Sequence, residues 1–307
     1  MTPVASAIRP WAVALCALGV LAVASGGCGG ADAGGAGGAQ AAYDAKLHRE
    51  LPDAVRVSGV LRVETDASYA PAESFAPDGH TIVGFDPDLA DALGHVLGVR
   101  VKLVNADFSK LLERLAAGRS DAVMSALTDT PERERDADFI NYFAAGTSIV
   151  VKRGNTEGIT ELSGLCGRTV AVEQDTIQVN LLGRSQKQCP RGRPMKVKSF
   201  DTNADALLQL RTGQAQAVLA DYPPAVALTT DPTTRAEYQL ASTTQYEPGL
   251  YGIAVAKGDP TLRNAIETAL DRLIRSGEYG EILQRWGVRQ GAVSTASVNA
   301  ARVAPAT

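Results

Sequence analysis

Apolar residues along this chain fall partly at helical spacing and partly in short continuous runs. One helical stripe extends from Leu89 to Leu97, and a second extends from Leu262 to Ile274. A continuous, mainly apolar run at 121–127 predicts a short buried strand. The pattern therefore predicts an α/β protein.

An internal duplication divides this pattern into two similar halves. In each half a leucine-rich helix is followed by a glycine and then by a strand, because glycine commonly ends a helix. The aligned segments are 112–123 with 207–218, 61–66 with 170–175, and 149–154 with 253–258. We expect two α/β lobes whose equivalent loops face a cleft, since ligands of open α/β sheets bind beyond the carboxyl ends of the strands.

The loop after the strand at 121–127 carries the first candidates for ligand binding. Thr128 offers a hydroxyl group, and the planar guanidinium of Arg133 can hold both oxygens of a carboxylate. Pro131 suits the first turn of a following helix, whose exposed N–H groups would also attract an anion. The alternative is that Arg133 is a surface partner for the acidic residues around it.

The equivalent loop of the second half carries an acidic residue, Asp221. A cation on one wall and an anion on the other suit a zwitterion, with its carboxylate on Arg133 and its ammonium on Asp221. Lobe closure would then depend on the ligand. The alternative is that Asp221 caps the turn before Pro223 and Pro224.

Two aromatic residues, Tyr69 and Phe108, lie in loops predicted to border the cleft. Their rings could sandwich an apolar or delocalised ligand side chain. The alternative for both rings is ordinary packing in the core or at the rim.

The helix that begins near Asp86 has a structural explanation for its polar residues. We predict that Asp86 caps the helix, that Pro87 occupies its first turn and that Asp88 complements the helix dipole. These residues are therefore assigned to the scaffold.

The N-terminus predicts export. Arg9 precedes an apolar stretch at 11–24 that is short for a membrane span, which is typical of a secretory signal peptide, here assigned to 1–27. The small residues before Cys28 resemble a bacterial lipoprotein cleavage box, with Cys28 lipidated and Ser25 in place of the usual leucine. The alternatives are cleavage without lipidation and retention as an uncleaved anchor.

Two further segments predict flexible ends. Residues 28–42 are almost wholly Gly and Ala after Cys28 and form a predicted tether. Residues 290–307 lack periodicity and form a predicted flexible tail.

Composition excludes several classes of function. The formal net charge is −4 and the chain has no basic run, which argues against nucleic acid as a partner. Three scattered histidines without Cys/His ligand spacing argue against a transition-metal site. We expect no cofactor.

Four cysteines allow one disulfide prediction. Cys16 leaves with the signal peptide and Cys28 is the lipid site, so Cys166 and Cys189 remain as a pair in an exported chain. A disulfide would close a loop of 23 residues, for which chain entropy gives about 3 kcal/mol of stabilisation. The alternative is two free buried thiols.

Three motifs together are similar to those of the family 3 extracellular solute-binding proteins, the polar amino-acid receptors of ABC importers. They are Gly-Phe-Asp-Pro-Asp-Leu-Ala at 84–90, Thr-Asp-Thr-Pro-Glu-Arg at 128–133 and Gly-Glu-Tyr-Gly-Glu-Ile-Leu-Gln-Arg-Trp at 277–286. The resemblance covers roughly residues 55–288 and implies a type II periplasmic-binding-protein fold, with a ligand cleft between two lobes.

Lobe bounds and site roles follow from this resemblance. We expect lobe 1 at 43–148 plus 248–289 and lobe 2 at 149–247, with crossings near Ser148 and Pro248. The resemblance implies that Arg133 binds the ligand carboxylate, that Thr128 adds a hydroxyl, that Asp221 binds the ammonium and that Tyr69 and Phe108 stack on the ligand. The complete set of candidate ligand-binding residues is Tyr69, Phe108, Ser125, Thr128, Arg133, Thr176 and Asp221.

The chain departs from the family pattern at two places. Ala72 stands where an aromatic residue is usual, which weakens the expected aromatic sandwich. Asp175, Thr176 and Ile177 replace a usual Gly-Thr-Thr, so that a negative charge is added and one hydroxyl is lost. These changes favour a neutral or cationic amino acid.

The leading hypothesis is a receptor without enzymatic activity. We expect a monomer, lipid-anchored to the outer face of the cytoplasmic membrane, that binds an amino acid and delivers it to an ABC permease and its ATPase. One alternative is an arogenate or prephenate dehydratase-like enzyme with Glu73 or Glu173 as its acid, although no histidine or paired-carboxylate motif indicates one. The other alternative is a sensory ligand-binding module.

Overall fold

The computed structural model describes residues 40–258 and 260–301, along which helices alternate with strands. The helices are α1 (Ala45–Glu50), α2 (Asp53–Ser58), α3 (Phe85–Leu97), α4 (Leu111–Ala116), α5 (Ile177–Ser185), α6 (Asn203–Thr212), α7 (Tyr222–Thr230), α8 (Pro260–Ser276) and α9 (Glu278–Arg285). The strands are β1 (Val60–Thr65), β2 (Ser68–Tyr69), β3 (Glu73–Phe75), β4 (Ile82–Val83), β5 (Arg100–Asn105), β6 (Ala122–Val123), β7 (Ala137–Lys152), β8 (Thr169–Glu173), β9 (Lys196–Phe200), β10 (Ala217–Asp221), β11 (Tyr238–Leu240), β12 (Tyr246–Ala256) and β13 (Ala292–Val298).

The long strand β7 joins two groups of parallel strands in one sheet. The strand order is β5-β1-β6-β12-β7-β10-β8-β9, with β11 and β13 also paired to β7. The first part of β7 pairs with β12 and β13, and its last part, from Thr147 onward, pairs with β10 and β11. A separate antiparallel sheet contains β2, β3 and β4.

The duplicated sequence segments adopt equivalent structures. In the second half, α6 ends at Gly213, which has a left-handed φ of 78°, and β10 follows. In the first half, α4 is followed by Gly118 with a φ of 70° and then by β6. Each of these strands lies parallel to the first strand of its own half, β6 to β1 and β10 to β8. The predicted helix, glycine and strand order is confirmed.

The apolar core is divided along β7. On the first side, Phe143 stacks on Phe85 and Tyr251, with ring centroids 5.0 and 5.4 Å apart. The apolar stripe of α8 packs into the same cluster, as its periodicity predicted. On the other side, Ile149, Val172 and Leu219 belong to a separate cluster. The two groups of strands therefore have separate apolar support.

The disulfide prediction is confirmed. The sulfur atoms of Cys166 and Cys189 are bonded, and the Cα atoms lie 5.5 Å apart. Cys166 is buried beside the cluster that supports β8 and β10.

The prediction that Asp86 caps α3 is wrong. Gly84 occupies the cap position with a φ of 151°, and a Cβ atom there would lie 1.9 Å from the carbonyl oxygen of Ala72. Asp86 lies inside the helix and is buried, and its Oδ2 accepts hydrogen bonds from the Ala126 N–H at 2.9 Å and the Tyr142 hydroxyl at 2.7 Å. Sequence alone favoured the cap because aspartate serves well in that position.

The predicted flexible ends are corrected where the structure describes them. Residues 292–298 of the predicted tail form β13, whose backbone pairs with β7. At the end of the predicted tether, Ala41 is buried and its N–H donates to Glu278 Oε2 at 2.7 Å. Partners from distant parts of the chain fix Ala41 and β13, and local composition carries no signal of such pairing. The predicted signal peptide at 1–27, the predicted lipidation site Cys28 and residues 302–307 lie outside the described residues.

Candidate ligand-binding site

A small cavity lies where the carboxyl ends of β1, β6, β8 and β10 converge. Residues from both groups of strands line it, including every candidate ligand-binding residue named from the sequence. The lining residues are Asp66, Ser68, Tyr69, Glu73, Phe108, Ser125, Ala126, Thr128, Arg133, Glu173, Thr176, Ile177, Gln178 and Asp221.

Arg133 lies on the first wall, in a 3-10 turn at Arg133–Arg135 after β6. Its Nη1 donates to the carbonyl oxygen of Thr128 at 2.7 Å, and its Nη2 donates across the cavity to the carbonyl oxygen of Asp175 at 2.9 Å. The guanidinium carbon lies 5.5 Å from the ring centroid of Phe108, within cation–π range. Burial lowers the pKa of Arg133 to about 10 against the opposing effect of Asp221, so the side chain is still charged at neutral pH.

Thr128 is held to the neighbouring strand by its backbone. It forms a bridge with Tyr251 of β12, and the next N–H, that of Asp129, donates to the Leu250 carbonyl at 2.7 Å. Thr128 is buried, and it reaches the cavity beside Arg133. The loop is therefore fixed at both residues that the sequence singled out.

Asp221 ends β10 on the opposite wall and is buried. Its Oδ1 accepts from Gln178 Nε2 at 2.7 Å, and its Oδ2 accepts from the Tyr251 hydroxyl at 2.8 Å. Burial raises the pKa of Asp221 to about 6, while these hydrogen bonds and the charge of Arg133 act in the other direction. Asp221 thus supplies a buried carboxylate opposite the guanidinium. Its side chain makes no capping hydrogen bond to the start of α7.

The two aromatic candidates have different surroundings. The hydroxyl oxygen of Tyr69 accepts a hydrogen bond from the Asp221 N–H at 2.8 Å, which joins the two walls. Phe108 lies under Arg133. Both rings line the cavity, and their stacking on a ligand stays a prediction.

Ser125 organises a group of buried acids rather than standing alone. Its Oγ accepts from the Asp66 N–H at 2.9 Å and donates to Glu73 Oε1 at 3.1 Å. Glu73 is fully buried, and its side chain is also hydrogen-bonded to that of Asp86. Burial, followed by the charge of Asp86, raises the pKa of Glu73 well above its usual value.

Glu173 supplies a further acid at the end of β8. It is buried, and burial together with the charges of Asp66 and Asp221 raises its pKa to about 8. Burial also raises the pKa of Asp66. The cavity therefore contains several carboxyl groups that are costly to ionise because they are buried close to one another.

Thr176 lies at the start of α5, where the backbone enters the cavity. Its hydroxyl donates to the carbonyl of Glu173 at 2.8 Å, and Ile177 and Gln178 of the first turn also line the cavity. Asp175 has a left-handed φ of 60° and is exposed, so its side chain is at the surface while its carbonyl accepts from Arg133.

Part of this site was not predicted from the sequence. Glu73 and Asp86 are hydrogen-bonding neighbours, although no paired-carboxylate motif was recognised. Gln178 and Tyr251, which hold Asp221, were not named at all. Position offers a signal for two other acids, because Asp66 follows β1 and Glu173 ends β8, at the carboxyl edge where ligands bind.

The residues that the structure describes contain neither a membrane-spanning helix nor a metal-binding group of side chains. None of the helices there is long and apolar enough to cross a membrane. Within the same ranges, no group of His, Cys, Asp and Glu side chains is arranged to hold a metal ion.

Comparisons with known proteins agree with this geometry. A model of the bacterial extracellular solute-binding proteins, family 3, matches residues 61–289. The arginine-binding protein ArgT of Corynebacterium glutamicum is 29% identical over 252 residues, which cover 81% of each chain. The structure of an ancestral arginine-binding protein bound to arginine is 34% identical, with a TM-score of 0.69 over 74% of this chain and 98% of that chain. An ancestral amino-acid-binding protein described as a precursor of cyclohexadienyl dehydratase is 31% identical, with a TM-score of 0.68 over 76% of this chain and 98% of that one.

Proposed function

This chain belongs to family 3 of the bacterial extracellular solute-binding proteins, and from that premise we propose that it captures a basic amino acid for an ABC importer. Its fold is the type II periplasmic-binding-protein fold predicted from the motifs, and its role is to bind a polar amino acid. The preference for a basic side chain is the finer proposal.

One observation carries the amino-acid assignment: Arg133 and Asp221 line the same cavity from opposite walls. A guanidinium binds a carboxylate through two parallel hydrogen bonds, and a buried carboxylate binds an ammonium. The α-carboxylate is assigned to Arg133 and the start of α5, where Thr176 precedes the first turn. The α-ammonium is assigned to Asp221, and Thr128 lies beside the carboxylate.

The other acids of the cavity support a cationic side chain on the ligand. Glu73, Glu173 and Asp66 form a second acidic region of the cavity. A buried guanidinium or ammonium would offset the cost of ionising these groups, whereas a neutral ligand would leave them protonated. Phe108 adds a ring face near Arg133. The arginine named for two of the similar proteins agrees with this chemistry.

Delivery requires the receptor to meet a membrane permease. We propose that lobes at 43–148 plus 248–289 and at 149–247 close over the ligand and that a permease and its ATPase recognise the closed form. Lipidation of Cys28 would keep a monomer on the outer face of the cytoplasmic membrane. Membership in a family of extracellular proteins supports export.

An enzyme on this scaffold is the weaker candidate. Glu73 and Glu173 have the raised pKa values expected of a general acid, and one similar structure is described as a precursor of a dehydratase. That similar protein is itself named as an amino-acid-binding protein. The arrangement of charges on two walls is explained by binding alone.

The deciding experiment compares L-arginine with L-citrulline, in which a neutral urea replaces the guanidinium at nearly the same shape. We expect L-arginine to raise the unfolding temperature of the purified protein, because a ligand of the native state stabilises it by mass action. Calorimetry should give at least roughly tenfold tighter binding for L-arginine than for L-citrulline, equal to about 1.4 kcal/mol.

Each alternative result has its own meaning. Equal affinities for the two ligands would reject the basic side chain and retain an amino-acid receptor. Binding of none of the common amino acids, together with turnover of arogenate, would favour the dehydratase-like enzyme instead.

A further inference from the structure

A segment at the C-terminal end of the described residues packs beside the loop that carries Arg133. We call residues 292–301 the C-terminal strap, which consists of β13 and the three residues after it. In the strap, Ala292 lies opposite Phe143 of β7 and Val298 lies opposite Ile140. The preceding Gly291 permits this approach, because a Cβ atom there would lie 2.1 Å from the ring of Phe143.

After β13 the strap is fixed by side-chain and backbone hydrogen bonds. Asn299 Oδ1 accepts from the Phe139 N–H at 2.8 Å, and its Nδ2 donates to Asp138 Oδ1 at 2.9 Å. The Ala300 N–H then donates to Asp129 Oδ2 at 3.0 Å, and the Ala301 N–H donates to Glu134 Oε1 at 3.1 Å. The strap thus ends on two carboxyl groups.

Those two carboxyl groups flank the loop that holds the ligand candidates. Asp129 directly follows Thr128, whose carbonyl oxygen accepts from Arg133, and Glu134 directly follows Arg133. Asp129 is buried, and its Oδ2 also accepts from Asn141 Nδ2 at 2.9 Å. Since a buried carboxyl group that loses its donors is costly, the loop is expected to move when the strap is removed.

We propose that the C-terminal strap, through Asp129 and Glu134, positions the 128–134 loop so that the guanidinium of Arg133 is ready for the ligand carboxylate. The inference rests on the proposed amino-acid binding. The strap follows the region that the family model matches, which ends at residue 289. The strap therefore supports the site from outside the matched region.

The test uses the full chain and a variant that stops after Val298, which keeps β13 and removes Asn299 together with the donors of Ala300 and Ala301. A variant that stops after Ala301 is the matched control. The shorter variant should bind L-arginine roughly tenfold more weakly, equal to about 1.4 kcal/mol, and the control should bind as the full chain does. Agmatine lacks the carboxylate that Arg133 would hold, so its affinity should be unchanged between the two variants.

Two substitutions at Asp129 separate positioning from general stability. Asp129→Ala removes one of the two carboxyl acceptors of the strap, so the truncation should have a smaller further effect on L-arginine affinity in that background. Asp129→Asn keeps an amide oxygen for Ala300, so the truncation should keep its effect there. If the truncated chain does not fold, Asp129→Ala should still bind L-arginine more weakly than Asp129→Asn, and equal affinities would reject the proposal.

Different results would reject the role of the strap and the proposed amino-acid binding. A full chain that binds L-arginine while truncation after Val298 changes nothing would overturn the strap alone. A truncation effect that persists in full in Asp129→Ala, or that is equal for agmatine, would also overturn it. A full chain that binds no amino acid would reject the proposed function and this inference with it.

Discussion

The phenolic oxygen of Tyr69 accepts a hydrogen bond from the backbone N–H of Asp221 at 2.8 Å, which connects residues 152 positions apart in the sequence. Tyr69 follows β1 on one wall of the cavity, and Asp221 ends β10 on the other. The Asp221 carboxylate accepts from Gln178 and Tyr251, and a hydrogen bond with Tyr69 also acts to lower the pKa of this carboxyl group. Tyr69 therefore lines the cavity and also connects its two walls through a hydrogen bond.

Tyr69→Phe should remove the hydrogen bond between the walls while keeping the aromatic ring. Because a net hydrogen bond contributes about 0.5–1.5 kcal/mol, L-arginine affinity should fall by roughly two- to twelvefold. Small-angle scattering should also show a larger radius of gyration for the ligand-free variant. The control is Tyr238→Phe, because Tyr238 is buried in β11 and does not line the cavity. Equal affinities and equal radii for Tyr69→Phe and the unaltered protein would show that this hydrogen bond does not hold the two walls together.

Arg133→Ala should abolish most ligand binding. Removing one partner of a buried charged pair costs about 2–5 kcal/mol, so calorimetry should show an affinity loss of at least roughly thirtyfold. Arg135→Ala is the matched control, because Arg135 lies in the same 3-10 turn and is exposed. If both variants bind alike and both are folded, Arg133 does not hold the carboxylate.

The rule that ligands bind beyond the carboxyl ends of strands predicted the positions of Arg133 and Asp221, because the duplication placed both residues after equivalent strands. It did not predict that Asp86 is buried beside Glu73, since that contact depends on how α3 packs against Ala126 and Tyr142. The pairing of β13 with β7 was missed for a similar reason. Local pattern identifies elements and their ends, whereas a partner far along the chain decides which polar group is buried.

Breaking the Cys166–Cys189 disulfide should lower stability without changing ligand affinity. The bond closes a loop of 23 residues, so a Cys166→Ala, Cys189→Ala double variant should lose about 3 kcal/mol of unfolding free energy. Neither cysteine lines the cavity, so L-arginine affinity measured well below the unfolding temperature should be unchanged. Denaturant unfolding and calorimetry on the same samples check both statements. A large affinity loss in a folded double variant would contradict the separation of the two sites.

Glu173 should make both stability and ligand affinity depend on pH, in opposite directions. Burial raises its pKa in the folded protein to about 8, from an ordinary value of 4.5. Between those values the unfolded chain ionises while the folded chain stays protonated, so stability is full below about pH 4.5 and is lost as pH rises towards 8. The contribution of this one group is on the order of 5 kcal/mol.

A cationic ligand reverses the preference of Glu173, because its positive charge favours the ionised carboxylate. L-arginine affinity should therefore rise between pH 6 and pH 8, and binding should release a proton, which calorimetry in buffers of different ionisation enthalpy detects. Asp66 and Asp221, whose charges also raise the pKa of Glu173, contribute to the same profile. In Glu173→Gln both the loss of stability and the gain in affinity should become smaller over this pH range. A proton release that is unchanged in Glu173→Gln would assign the titration to another acid of the cavity.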